Sequence, residues 1–132
     1  MKPYRKILRW TPRVMFIIAI LFVSMFALDA FSPEMTFWQN LAGFLIHLIP
    51  TFVLIAVLIV AWKWELLGGI LSTVMGLALT PVIFNFNNRP GNTVGQTLGI
   101  ALMVTLPFIV AGILFLVSHY VNKSHRTDEQ QP

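Results

Sequence analysis

The chain has 132 residues, of which 57% are hydrophobic and only 11% charged, with a mean hydropathy of +0.78. A soluble domain is about 25% charged, so a chain this apolar cannot cover itself with polar surface in water. The absence of cysteine excludes disulfides, thiol nucleophiles and Cys-based zinc sites, and the pI near 10 is not read as a nucleic-acid signature because the basic residues flank apolar stretches.

A bilayer core about 30 Å thick needs about 20 apolar residues per helix, and four such stretches fit the chain. The first expected span is 12–31, with Pro12 in its first helical turn. The basic start (Lys2, Arg5, Lys6, Arg9, Arg13) and the following apolar run resemble a signal peptide. The run is long for one, however, and Ala27-Leu28-Asp29-Ala30-Phe31 lacks a small-x-small cleavage pattern. A retained helix is expected. Ser32-Pro33-Glu34 breaks it, and the second span follows at 37–62. The third is 66–84. A loop dense in turn formers, Asn85 to Asn92, leads to the fourth span, 93–119. The polar tail 121–132 is expected to be disordered. The fold class is therefore all-α: a polytopic membrane protein whose four transmembrane helices form two antiparallel hairpins in one bundle, with spans and loops making a single domain over 1–120.

Even numbers of crossings separate the N-terminal segment, the Trp62–Glu65 turn and the C-terminal tail, which places them on one side. They hold Lys2, Arg5, Lys6, Arg9, Arg13, Lys63, Lys123 and Arg126, whereas the other side holds only Arg89. The positive-inside rule then predicts both termini in the cytoplasm and a location in the cytoplasmic membrane. Trp10, Trp62 and Trp64 map to the inner interface, and Trp38 and Phe86 to the outer one. That is the belt expected of amphipathic rings at headgroup depth. Leu48-Ile49-Pro50-Thr51-Phe52 faintly echoes Thr105-Leu106-Pro107-Phe108.

Lipid is as apolar as leucine, so close backbone approach at small residues has to hold the helices together. The predicted contact rows are Ala19, Val23, Ala27 and Ala30; Gly43, His47 and Thr51; Gly69, Thr73, Gly76 and Thr80; and Thr97, Ala101 and Thr105 beside the Gly95/Gly99 GxxxG. These rows are expected to face one another inside the bundle, the alternative being a homodimer through Gly95 and Gly99. Pro50, Pro81 and Pro107 each free a carbonyl one turn back, which neighbouring Thr hydroxyls could satisfy.

Two ionisable residues enter the outer half of the spans, Asp29 and His47. Their depths differ by about 5 Å at helical rise, and helix axes pack about 8–10 Å apart, so the pair is a candidate polar membrane site. A carboxylate beside an imidazole could fix its tautomer, hold a proton or simply pin two helices. Two ligands make a poor metal site, and neither a metal nor a cofactor is expected. Glu65 opens the third span, where a carboxylate suits a helix N-terminus. Arg9 and Arg13 are four residues apart on one helix face, so Glu65, Arg9 and Arg13 form a candidate inner-face ion pair that would lock the turn to the first helix. His119 and His125 are expected at the interface. Serines 24, 72 and 118 have no base near them in sequence, and no HExxH, GxSxG or phosphate-loop motif is present.

Arg9-Trp10-Thr11-Pro12-Arg13, Phe26-Ala27-Leu28-Asp29-Ala30-Phe31, His47-Leu48-Ile49-Pro50-Thr51 and Ala61-Trp62-Lys63-Trp64-Glu65-Leu66-Leu67-Gly68-Gly69 resemble an uncharacterised family of small prokaryotic membrane proteins, classed as a domain of unknown function. The resemblance covers roughly the first 80 residues, with a more generic fourth span. It implies a cytoplasmic-membrane location and supplies no activity. The small multidrug exporters, which carry a Glu within their first helix, are unlike this chain. The reading is a non-enzymatic integral membrane protein, a structural or interaction subunit whose partners are the lipid bilayer and a second copy or another membrane protein. The alternative is a small transporter or channel working through Asp29 and His47.

Overall fold

The computed structural model describes residues 3–128. Four α-helices follow one another: α1 (Pro3–Met25), α2 (Phe37–Lys63), α3 (Glu65–Asn87) and α4 (Val94–Asp128), with a 3-10 segment, Phe26–Ala30, closing the first. No strand occurs among the described residues. All four helices are long and apolar enough to cross a membrane. Large apolar side chains lie exposed around the girth of the bundle, among them Ile18, Ile46, Ile59, Leu77 and Met103. A water-soluble monomer rarely exposes apolar surface on that scale, whereas lipid-facing helices do so by necessity.

Each helix begins for a local reason. Pro3 occupies the first position of α1, where its missing N–H is no loss. Thr36 and Gln39 form a reciprocal cap on α2: Gln39 N donates to Thr36 Oγ1 at 3.4 Å and Thr36 N donates to Gln39 Oε1 at 3.0 Å. Thr93 and Gln96 repeat this at α4, with bonds of 2.9 and 3.2 Å. Between α2 and α3 only Trp64 leaves the helical conformation (φ −132°, ψ 90°). The reversal brings Gly68 against the Ala61 backbone, where an added Cβ would lie 2.7 Å from Ala61 N. The α3–α4 turn uses Gly91 at φ 103°, a left-handed conformation that favours glycine.

Packing makes a ring. α1 lies against α2 and α4, and α3 against α2 and α4. Pro12, Arg13, Phe16, Ala19 and Ile20 form the buried stripe of α1 at three- and four-residue steps. Phe16 anchors the core against Phe108 (ring centroids 5.2 Å) and Phe115 (6.5 Å), and α2 contributes Leu54, Val57, Leu58 and Ala61.

The α3–α4 contact is the most intimate. An added Cβ at Gly69 would lie 2.9 Å from Gly112 O, and one at Gly76 would lie 3.3 Å from Thr105 O. Thr80 and Thr105 share a hydroxyl hydrogen bond of 2.9 Å. Partner numbers fall along α4 as they rise along α3. The expected row on the third span therefore meets the Thr97, Ala101, Thr105 side of the fourth, whose three members are buried.

Several expectations need correction. α1 begins nine residues before Pro12, because its basic N-terminal segment keeps the helical ladder although its hydropathy falls. α4 runs on through 121–128, assigned from sequence to a disordered tail, since no helix breaker intervenes and basic side chains suit a helix C-terminus; residues 129–132 lie outside the described residues. Gly95 and Gly99 face open space, with nothing within 4 Å of an added Cβ, so that GxxxG is not part of the packing inside the bundle. The Thr hydroxyls do not cover the carbonyls freed by proline. Thr73, Thr80 and Thr105 bond Gly69 O, Gly76 O and Ala101 O of their own helices.

Candidate functional site

Glu65 is the first residue of α3, half-buried, and aimed at the other two helices of the basic end. Its Oε1 accepts a hydrogen bond from Arg13 Nη2 at 3.1 Å and lies 3.5 Å from Arg9 Nε. Its Oε2 accepts from Ser118 Oγ at 3.2 Å. One carboxylate thus joins α1, α3 and α4. The helical spacing of Arg9 and Arg13 explains why both reach it from one face of α1, and the tight Trp64 turn delivers Glu65 to them. The expected ion pair of Glu65, Arg9 and Arg13 is present in the structure, in the form of a clamp with a further member.

That further member was not visible in the sequence. Ser118 is fully buried, and Asn122 Nδ2 donates to Ser118 Oγ at 3.5 Å, which extends the network one turn along α4. Fifty-three residues separate Ser118 from Glu65, and a serine in an apolar helix carries no mark of a charged partner.

Arg13 is only 6% exposed. A buried guanidinium is tolerable when paired and packed, and both conditions are met. Glu65 accepts the Nη2 hydrogen bond, and the Trp62 and Trp10 rings lie 5.4 and 6.0 Å from Arg13 Cζ. The two indoles meet edge to face at 6.0 Å. The tryptophans read from sequence as an interfacial belt therefore also box the clamp at this end. Trp38 and Phe86 stand exposed near the other end.

Asp29 and His47 are not brought together. Asp29 lies exposed in the 3-10 segment. His47 is exposed on α2, and its Nδ1 lies 2.8 Å from Gly43 O, one turn back on its own helix. No hydrogen bond or ion pair links the two residues among the described ones. What joins the two segments is apolar: Gly43 lies against Ala30, whose Cβ is 3.6 Å from an added Cβ. The loop between them is pinned by Asn40, which accepts from Ser32 N at 2.9 Å and donates to Ser32 O at 3.0 Å.

A cavity of about 1090 Å³ opens beside the clamp, between α1, the start of α3 and the last turns of α4. His119 lines it and packs edge to face on Tyr120 at 5.5 Å; the His125 side chain lies outside the described residues. No cluster of three or more potential metal-ligating side chains occurs among the described residues.

A family described as a domain of unknown function, DUF7670, matches residues 1–128, and the chain belongs to it. The match includes the fourth helix, beyond the first 80 residues on which the sequence resemblance rested. No curated protein and no solved structure matches the chain.

Proposed function

We propose that this member of the DUF7670 family is a small integral protein of the cytoplasmic membrane, its helices crossing as two antiparallel hairpins with both termini in the cytoplasm, and that it serves as a structural or interaction subunit. One observation carries this reading. The ionisable side chains that penetrate the bundle, Arg13 and Glu65, are engaged in tying three helices together. A carboxylate placed for transport or chemistry would need room to exchange partners. Glu65 is instead held from two sides. The distribution of Lys and Arg supports the orientation.

Photo-crosslinking in native membranes, followed by purification of the full chain in mild detergent and mass measurement, tests the reading. A stoichiometric complex with a second copy or another membrane protein is expected. A lone monomer without crosslinks overturns it. Single-cysteine labelling at either end of the chain reads the orientation, and labelling of intact cells by an impermeant reagent would contradict the cytoplasmic assignment.

A further inference from the structure

The cavity at the basic end has a chemistry the clamp does not use up. Arg9, Arg13, Lys63, Lys123 and Arg126 line it, with Glu65 as the one carboxylate among its lining residues. That carboxylate is already shared by Arg13, Arg9 and Ser118. Even without Lys123, the cations outnumber the carboxylates among the described lining residues. Arg9 keeps 42% of its side chain exposed while its Nε lies 3.5 Å from Glu65 Oε1, so the rest of its guanidinium can meet a ligand; Arg13 Nε is buried and makes no hydrogen bond.

The same cavity also has an apolar lining. Trp10, Trp62 and Trp64 lead to Leu66, Leu67 and Ile70. Leu67 and Ile70 are about half exposed on the outer surface of the bundle. The lining therefore combines guanidinium and ammonium groups, indole rings packed against them, and aliphatic side chains facing the surroundings. A free anion in water would need only the first of these. An amphiphile would use all three, with phosphate at the cations, the ester region at the indoles and an acyl chain along the aliphatic wall. The α4 extension completes the polar side, because His119, Asn122, Lys123 and Arg126 recur at three- and four-residue steps on one helix face.

We propose that this cavity binds the phosphate-bearing headgroup of an anionic phospholipid, seated against the exposed part of the Arg9 guanidinium and the Lys63 and Arg126 charges, with an acyl chain along Leu67 and Ile70. The assignment rests on the reading that this end of the bundle lies at a membrane face. It adds a specific lipid as a partner of the charged end.

The test uses the full chain in detergent micelles offered equimolar phosphatidylglycerol and phosphatidylcholine with matched acyl chains, with retained lipid read by native mass spectrometry. Wild type is expected to favour phosphatidylglycerol by about tenfold, and Lys63→Gln/Arg126→Gln to lose most of that preference. Neither residue is an ion-pair or hydrogen-bond partner of Glu65, so the melting temperature of the lipid-free double variant should match wild type. If the double variant fails to fold, Arg126→Gln alone, on an exposed final turn, serves and should reduce the preference by about threefold. Phosphatidylglycerol brominated on its acyl chain should quench tryptophan emission more than the brominated phosphatidylcholine does, since three of the four tryptophans line the cavity. Equal retention of the two lipids, or a preference unchanged by the substitutions, overturns the assignment. So does inorganic phosphate alone stabilising the lipid-free protein as much as phosphatidylglycerol does, which would make the ligand a soluble phosphate. A chain that inserts into vesicles but shows no lipid preference fails this assignment alone; a chain that inserts into no vesicle fails the membrane reading beneath it.

Discussion

Ser118 Oγ reaches Glu65 Oε2 at 3.2 Å across 53 residues of sequence, and this one bond ties the end of the bundled part of α4 to the start of α3. It turns an ion pair between two helices into a three-helix clamp. Ser118 is fully buried, so the hydroxyl has no water to replace the carboxylate. Ser118→Ala should cost about 1–2 kcal/mol, the range for a hydrogen bond to a charged group. Ser118→Thr, which keeps the hydroxyl, should lose its stability through crowding instead. Reversible unfolding in mixed micelles reads the first value, and a change within about 0.3 kcal/mol would remove Ser118 from the clamp.

The α3–α4 seam should be intolerant at Gly112 and tolerant at Gly95 and Gly99. A Cβ at Gly112 would come 2.7 Å from Thr73 N and 2.9 Å from Gly69 O, both backbone atoms that cannot swing aside, while at Gly95 and Gly99 it would meet nothing within 4 Å. Gly112→Ala is expected to destabilise by about 1–3 kcal/mol, in the range for overpacking. Gly95→Ala and Gly99→Ala should be neutral or slightly stabilising, since alanine is the better helix former by about 1 kcal/mol. Melting temperatures of the three variants in one detergent decide the matter. Equal losses at all three would mean that the Gly95/Gly99 row is covered by something outside this chain.

The Thr80–Thr105 hydroxyl pair, at 2.9 Å, should contribute modestly. Interhelical hydrogen bonds between membrane helices average about 0.6 kcal/mol, because the separated helices find other partners. Each hydroxyl also lies within hydrogen-bond distance of a carbonyl of its own helix, so two protons serve three contacts and the one that bridges the pair leaves its own carbonyl. A double-mutant cycle with Thr80→Val and Thr105→Val should therefore give a coupling of about 0.5–1 kcal/mol. A value above about 2 kcal/mol would mark the pair as the main fastening of the seam.

Asp29→Asn and His47→Ala should each change stability by no more than about 0.5 kcal/mol, as exposed residues outside any network do. Among the described residues, His47 bonds only Gly43 O on its own helix. Their effects should also add, because residues that share no partner do not couple. Non-additivity in the same unfolding assay would show that the two residues meet.

The sequence carried the elements more plainly than their ends. Four apolar stretches stood out by length and composition. Arg9 and Arg13 could be placed on one face, opposite Glu65, from their four-residue spacing. The limits of α1 and α4 were harder to see because hydropathy falls where a helix leaves an apolar zone, whereas backbone hydrogen bonding continues until something stops it. Pro12 reads as a start but lies well inside α1. Spacing of small residues identifies a face and leaves open what it meets: Gly69, Thr73 and Gly76 meet α4, while Gly95 and Gly99 meet nothing. Similar depth did not bring Asp29 and His47 together, because the segments that carry them touch through Gly43 and Ala30, with both polar side chains turned outward.

The coupling between Arg13 and Glu65 tests the account most directly. Glu65→Gln leaves a guanidinium that is 6% exposed without a counter-charge, and should cost about 3 kcal/mol or more. Arg13→Met should cost less, since Glu65 keeps Ser118 and the nearby Arg9. Combining Arg13→Met with Glu65→Gln removes both charges and should recover part of the loss. Measured by reversible unfolding of the four proteins in mixed micelles, the cycle is predicted to return a favourable coupling of about 2 kcal/mol. A coupling within about 0.3 kcal/mol of zero would mean that the two residues do not hold the helices together, and would contradict the clamp on which the proposed role rests.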